Sequence, residues 1–119
     1  MAIRLGELIR RLEAEPPDNS LRFDFGGFVP RGIDSYRGFY DQLAISYDDD
    51  WRNEMKVSEF ILVLREVVGK TLTGYKGGDY KMDERTPVWA ANYGECNSTA
   101  VVGLAPCNWG TVLETRWED

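Results

Sequence analysis

The chain reads as an α+β domain in which two helices pack on a mainly antiparallel sheet. Two segments carry helical apolar periodicity, and several others are short, β-branched and aromatic. Turns containing glycine or proline separate them. A length of 119 residues suits one domain, residues 1–119, with one core. The apolar fraction of 43% and aromatic fraction of 13% are those of a folded globule, not a solvated tail.

Leu5, Leu8, Ile9 and Leu12 recur at i, i+3, i+4 and i+7, which predicts a first helix with one apolar stripe. Glu7 precedes Arg10 and Arg11 by three and four residues and supports the exposed face. Pro16-Pro17 stops the helix. After the polar turn Asp18-Asn19-Ser20, the strict alternation of Leu21-Arg22-Phe23-Asp24-Phe25 predicts a strand. Gly26-Gly27 ends it and opens a long loop through Pro30, Arg31 and Gly32, reaching Leu43–Tyr47, the next predicted strand. A loop of that length is more often functional than idle, which draws attention to Phe28, Arg31, Tyr36 and Arg37. The plainer reading is a rigid connector packed by its own aromatics.

Asp48 to Asn53 is a polar connection, and Ser58 is suited to N-cap a second helix ending at Val68. Phe60, Ile61, Leu64, Val67 and Val68 line one side, and Leu62 and Val63 carry apolarity around most of the surface. Such a helix is expected to be largely buried. Gly69 is placed to cap its end. Thr71 to Tyr75, Val88 to Tyr93, Thr99 to Leu104 and Thr111 to Trp117 then read as strands.

Composition restricts function. The net charge of −6, from 14 basic and 20 acidic residues, argues against binding duplex nucleic acid, which needs a dense basic face. The carboxylates are interspersed with Arg and Lys, so they do not imitate a phosphate backbone either. No run approaches the roughly 20 apolar residues of a membrane span. Met1-Ala2-Ile3-Arg4 leads straight into the amphipathic pattern, so the expectation is a soluble cytoplasmic protein without a secretory signal. Histidine is absent, which removes the commonest general base near neutral pH and the commonest transition-metal ligand. Cys96 and Cys107 lack the close spacing of a zinc or redox pair. They are expected to be reduced and part-buried, with a disulfide between flanking loops as the alternative. No cofactor or metal is expected. Gly69-Lys70-Thr71 has the ending of a phosphate-binding P-loop, but position 64 is leucine and the segment ends a helix instead of starting one. Asp24, Asp41, Asp79 and Asp83 show no convergent spacing for acid–base work.

Binding chemistry concentrates in two similar segments, Ser35-Tyr36-Arg37-Gly38-Phe39-Tyr40-Asp41 and Gly74-Tyr75-Lys76-Gly77-Gly78-Asp79-Tyr80. Each offers a ring for stacking, a cation for an anion and glycine for close backbone approach. In the first, Tyr36 or Tyr40 would stack while Arg37 grips a phosphate or carboxylate. Alternatively, the rings are core and Arg37 pairs with Asp34 or Asp41. In the second, Gly77-Gly78-Asp79 is a hairpin-turn signal that accounts for most of the segment without a ligand. Asn92, in Trp89-Ala90-Ala91-Asn92-Tyr93-Gly94, carries an amide suited to a base edge or ribose hydroxyl, or to capping the turn that follows. Trp109 and Trp117 read as half-buried lids or an oligomer contact.

On S-Y-R-G-x-Y-D-x-L-A (Ser35 to Ala44), G-x-x-x-x-G-Y-K-G-G-x-Y (Gly69 to Tyr80) and W-x-x-x-Y-G (Trp89 to Gly94), the chain resembles a group of small proteins encoded by bacteriophages and prophages. The match covers roughly the middle two-thirds of the chain. The resemblance implies a context of inhibiting host defence, either by sequestering a nucleotide second messenger or by attaching to a defence protein as anti-CRISPR proteins do. The first expectation is therefore a non-enzymatic protein of the bacterial cytoplasm that sequesters a small anionic nucleotide-like ligand. Tyr36, Arg37, Gly38, Tyr40, Tyr75, Lys76, Gly77, Gly78 and Asn92 would form its site, at a homo-oligomer interface. The second is a direct inhibitor of a host defence protein. An enzyme using Asp and Tyr on a phosphodiester or glycosidic bond comes third.

Overall fold

A computed structural model describes residues 2–24, 28–36, 39–48, 54–73, 79–90 and 99–117. The Leu5/Leu8/Ile9/Leu12 stripe forms helix α1, Leu5–Glu13, and all four side chains are buried. Arg4 occupies the N-cap position without a capping side chain. The first free N–H groups find main-chain partners instead: Leu5 donates to the Thr86 carbonyl and Gly6 to the Glu84 carbonyl, both at 2.9 Å. The turn that receives them is rigid, because Asp83 Oδ1 accepts from the Arg85 N–H (2.8 Å) and Thr86 Oγ1 from the Asp83 N–H (2.9 Å).

Strand β1, Ser20–Phe23, turns Leu21 and Phe23 inward as its alternation predicts. The expected long loop is instead mostly strand. β2, Val29–Tyr36, pairs antiparallel with β3, Phe39–Asp48, in one extended hairpin. Pro30, Gly32 and Asp34 hide β2 from a pattern search. A bulge between Pro30 and Gly32 and a place at the end of the sheet order make them tolerable there. Phe28 stacks on Tyr47 with ring centroids 5.1 Å apart, and Arg31 pairs with Asp48 across the hairpin at 3.4 Å. For Phe28 and Arg31 the plainer reading, local packing, is the one observed.

Helix α2, Val57–Val67, starts one residue before the expected cap. Ser58 does not cap it. The Val57 and Ser58 N–H groups donate to the carbonyls of Asn19 (2.9 Å) and Pro17 (3.1 Å), while Glu59 Oε1 accepts from the Lys56 N–H (3.0 Å). The turn after α1 thus performs the task expected of a serine hydroxyl. Burial is also narrower than expected. Val57, Phe60, Leu64 and Val67 are buried, but Leu62 is 63% exposed on the opposite side. Gly69 ends the helix in the left-handed conformation (φ 82°), and its N–H donates to the Met82 carbonyl at 2.7 Å.

β4, Thr71–Thr73, and β5, Asp79–Lys81, form a separate two-stranded antiparallel sheet. β6, Val88–Ala90, β7, Thr99–Cys107, and β8, Gly110–Trp117, complete a six-stranded sheet in the order β1-β8-β7-β6-β3-β2. It is mixed and mostly antiparallel, with β1–β8 and β3–β6 running parallel, so the α+β expectation holds. Among the described residues β6 and β7 pair only at Trp89 and Ala100. Beside that point residue 3 bridges them: Ile3 donates to the Val101 carbonyl (2.7 Å) and accepts from the Val88 N–H (3.0 Å). The other side of β1 is covered too, by bonds from Leu21 to Met55 O (2.8 Å) and from Phe23 to Phe28 O (2.9 Å).

One apolar cluster unites these parts. Leu8 and Leu12 of α1, Phe60 and Leu64 of α2, and Phe23, Ile45, Val101 and Leu113 of the sheet belong to it, with Met82. At its rim Thr111, fully buried, accepts from Asn19 Nδ2 (3.1 Å) and donates to Glu15 Oε1 (3.0 Å), joining the exit of α1 to β8. Cys107 is exposed with a free thiol, against the expectation of part-burial, because β7 runs past the core before it turns. Cys96 lies outside the described residues.

Gly110 opens β8 where the backbones of β1 and β8 come closest: a Cβ there would lie 2.3 Å from the Ser20 carbonyl oxygen. Gly110→Ala is expected to destabilise by about 1–3 kcal/mol through forced backbone displacement. Urea unfolding measures this, and an unchanged midpoint would mean the strands separate there without cost.

Candidate functional site

The two motifs fall on two hairpins. Tyr36 pairs in register with Phe39, so Arg37 and Gly38, which lie outside the described residues, form the connection between β2 and β3. Tyr40 is on β3 just after it. Thr73 pairs with Asp79, and between them Tyr75, Lys76, Gly77 and Gly78 also lie outside the described residues. Paired strands on both sides are what the Gly77-Gly78-Asp79 turn signal predicts. β4 lies against β2 and β5 against β3, so the hairpins carrying the two Tyr-cation-Gly segments are neighbours.

Asn92 lies outside the described residues, after β6. β6 runs parallel to β3 with Ala90 opposite Ile45, so the chain leaves β6 toward the Asp48 end of β3. The Phe39 end and the Ile45 position are about 20 Å apart at roughly 3.3 Å per residue. In chain order Tyr36, Arg37, Gly38 and Tyr40 belong to the β2–β3 hairpin, and Tyr75, Lys76, Gly77 and Gly78 connect β4 to β5.

Two further features stand apart from the hairpins. A groove of about 450 Å³ lies between α1, the end of α2 and the turn after β5, lined among others by Ile9, Arg10, Glu13, Arg65 and Glu84. Glu13 and Arg65 form an ion pair across the two helices, with side chains about half exposed. Such pairs contribute at most about 1 kcal/mol. No linear pattern announces this groove, since it exists only once both helices and the turn meet. The second feature is Trp109, in the two-residue turn between Cys107 and Gly110. It is 51% exposed, with the Arg22 guanidinium 5.9 Å from its ring centroid.

The carboxylates weighed for catalysis separate into local roles. Asp24 accepts from both the backbone N–H (2.9 Å) and the hydroxyl of Thr115, tying the end of β1 to β8. Asp83 shapes the turn that holds α1. The side chains of Asp41 and Asp79 lie outside the described residues. Among the described residues no three His, Cys, Asp or Glu side chains gather as a metal site, and no helix is long and apolar enough to cross a membrane. No protein-family model, curated protein or solved structure matches the chain.

Asp24→Ala removes two bonds to a charged acceptor and is expected to cost about 1–3 kcal/mol. Chemical denaturation checks this; stability equal to the parent would mean that the Thr115 contacts are matched by water.

Proposed function

We propose that this chain is a binding protein that sequesters a small anionic, nucleotide-like molecule without turning it over, in the setting of phage counter-defence. The adjacency of the β2–β3 and β4–β5 hairpins supports this reading, because the two segments of similar chemistry connect the strands of those two hairpins. Arg37 and Lys76 meet phosphates, Tyr36, Tyr40 and Tyr75 stack on a flat ring, and Gly38, Gly77 and Gly78 admit the ligand to the backbone. Asn92 contacts a base or sugar of the same ligand, at a site completed by a second copy of the chain. Tight retention without a general base suits sequestration better than turnover.

Thermal unfolding against linear and cyclic nucleotides and ADP-ribose derivatives tests the reading. A ligand at 100 times its Kd adds about 2.7 kcal/mol, a rise of several degrees in a domain of this size. The expected result is a shift with chemically intact ligand recovered, abolished by Arg37→Ala and weakened by Tyr36→Ala. No shift across the panel, or a shift that both variants retain, overturns it.

A second reading, direct inhibition of a host defence protein, is favoured by Trp109 and Arg22. An exposed tryptophan beside an arginine on a hairpin anchored at Gly110 has the composition of an interface anchor. Under this reading Trp109→Ala abolishes capture of the host protein and leaves the unfolding midpoint nearly unchanged.

A further inference from the structure

The groove between the helices has its own chemistry, independent of the hairpins. It is lined by Gly6, Ile9 and Val68 together with the charged Arg10, Glu13, Arg65 and Glu84. Glu13 and Arg65 neutralise one another. The side chains of Arg10 and Glu84 form no hydrogen bond or ion pair among the described residues. The groove therefore presents one uncommitted cation and one uncommitted anion beside Ile9 and Val68. Val68 is also the C-cap of α2, whose terminal carbonyls carry a partial negative charge that favours an ammonium group on that side. A volume of about 450 Å³ falls in the range of small-molecule sites, roughly 300–1,000 Å³.

We propose that this groove binds a small zwitterion with an apolar side chain, an amino acid or dipeptide. Its carboxylate meets Arg10, its ammonium meets Glu84 and its side chain rests on Ile9 and Val68. A purely anionic ligand fits less well, because it leaves Glu84 unmatched beside it. A purely cationic one leaves Arg10 unmatched beside it. Glu84 holds its place independently of any ligand, since its carbonyl accepts the Gly6 N–H and its Cβ lies 2.9 Å from where a Gly6 Cβ would stand.

The test is titration of the isotopically labelled full chain with leucyl-leucine, read by amide NMR shifts, beside the N-acetylated and the C-amidated dipeptides. The expected result is saturable shifts in residues 6–13, 65–69 and 84. Blocking either end should weaken binding about tenfold or more, the cost of one charged hydrogen bond. Arg10→Ala and Glu84→Gln should each weaken the parent dipeptide similarly while unfolding at the parent midpoint. Shifts absent up to the solubility limit, shifts confined to other residues, or equal binding of all three dipeptides would overturn the proposal. So would unchanged affinity in both variants.

Discussion

Residue 3 ties the two halves of the sheet to each other. Among the described residues β6 and β7 pair only at Trp89 and Ala100, where a β1-β8-β7 half meets a β6-β3-β2 half. The backbone of Ile3 spans the gap, bonded to Val88 on one side and Val101 on the other. The same insertion aims α1. Leu5 and Gly6 follow immediately and are fastened to the carbonyls of Thr86 and Glu84, so the helix has a fixed start and direction. Its apolar stripe then joins one core cluster with Leu21, Phe23, Leu113 and the α2 residues Phe60 and Leu64. Burying side chains of this size contributes about 1.5–3 kcal/mol each, but only if the helix axis is correctly placed.

Main-chain groups perform much of the capping that side chains usually perform. The start of α1 is satisfied by the turn at residues 84–86, and that of α2 by the turn at 17–19. Each helix is therefore registered to a distant or preceding turn instead of to its own first residue. The α1–α2 groove follows from this arrangement. It opens where the end of α2 and the Glu84 turn both approach α1, and its charged rim comes from three separate pieces of chain.

How much of this is legible in the sequence depends on whether the signal is local. The α1 stripe is a periodic pattern and survives folding intact, and Gly69 is a cap because its φ is positive. β2 was hidden because Pro30 and Gly32 oppose strand propensity, and only the bulge and the edge position reconcile them with a ladder. Ser58 was a reasonable cap displaced by the carbonyls of Pro17 and Asn19, which no local pattern could reveal. Leu62 looked like core because its helix is apolar on several sides, yet the partners α2 finds cover only one face. The Tyr-cation-Gly segments are legible as chemistry; the adjacency of their hairpins is a property of the fold.

Strand order also bears on how the chain acquires its structure. β1 has β8 as its parallel neighbour, with Ser20 opposite Gly110, and residue 3 waits for residues 88 and 101. Contacts this distant in sequence close large loops before any reward in burial arrives, which slows folding. On the ribosome, α1 and the β2–β3 hairpin emerge with no completed partner surface. They remain incompletely buried until the last strand follows, a period in which unpaired strands are open to misassociation. The sheet is complete only with β8, which pairs with β1 on one side and β7 on the other.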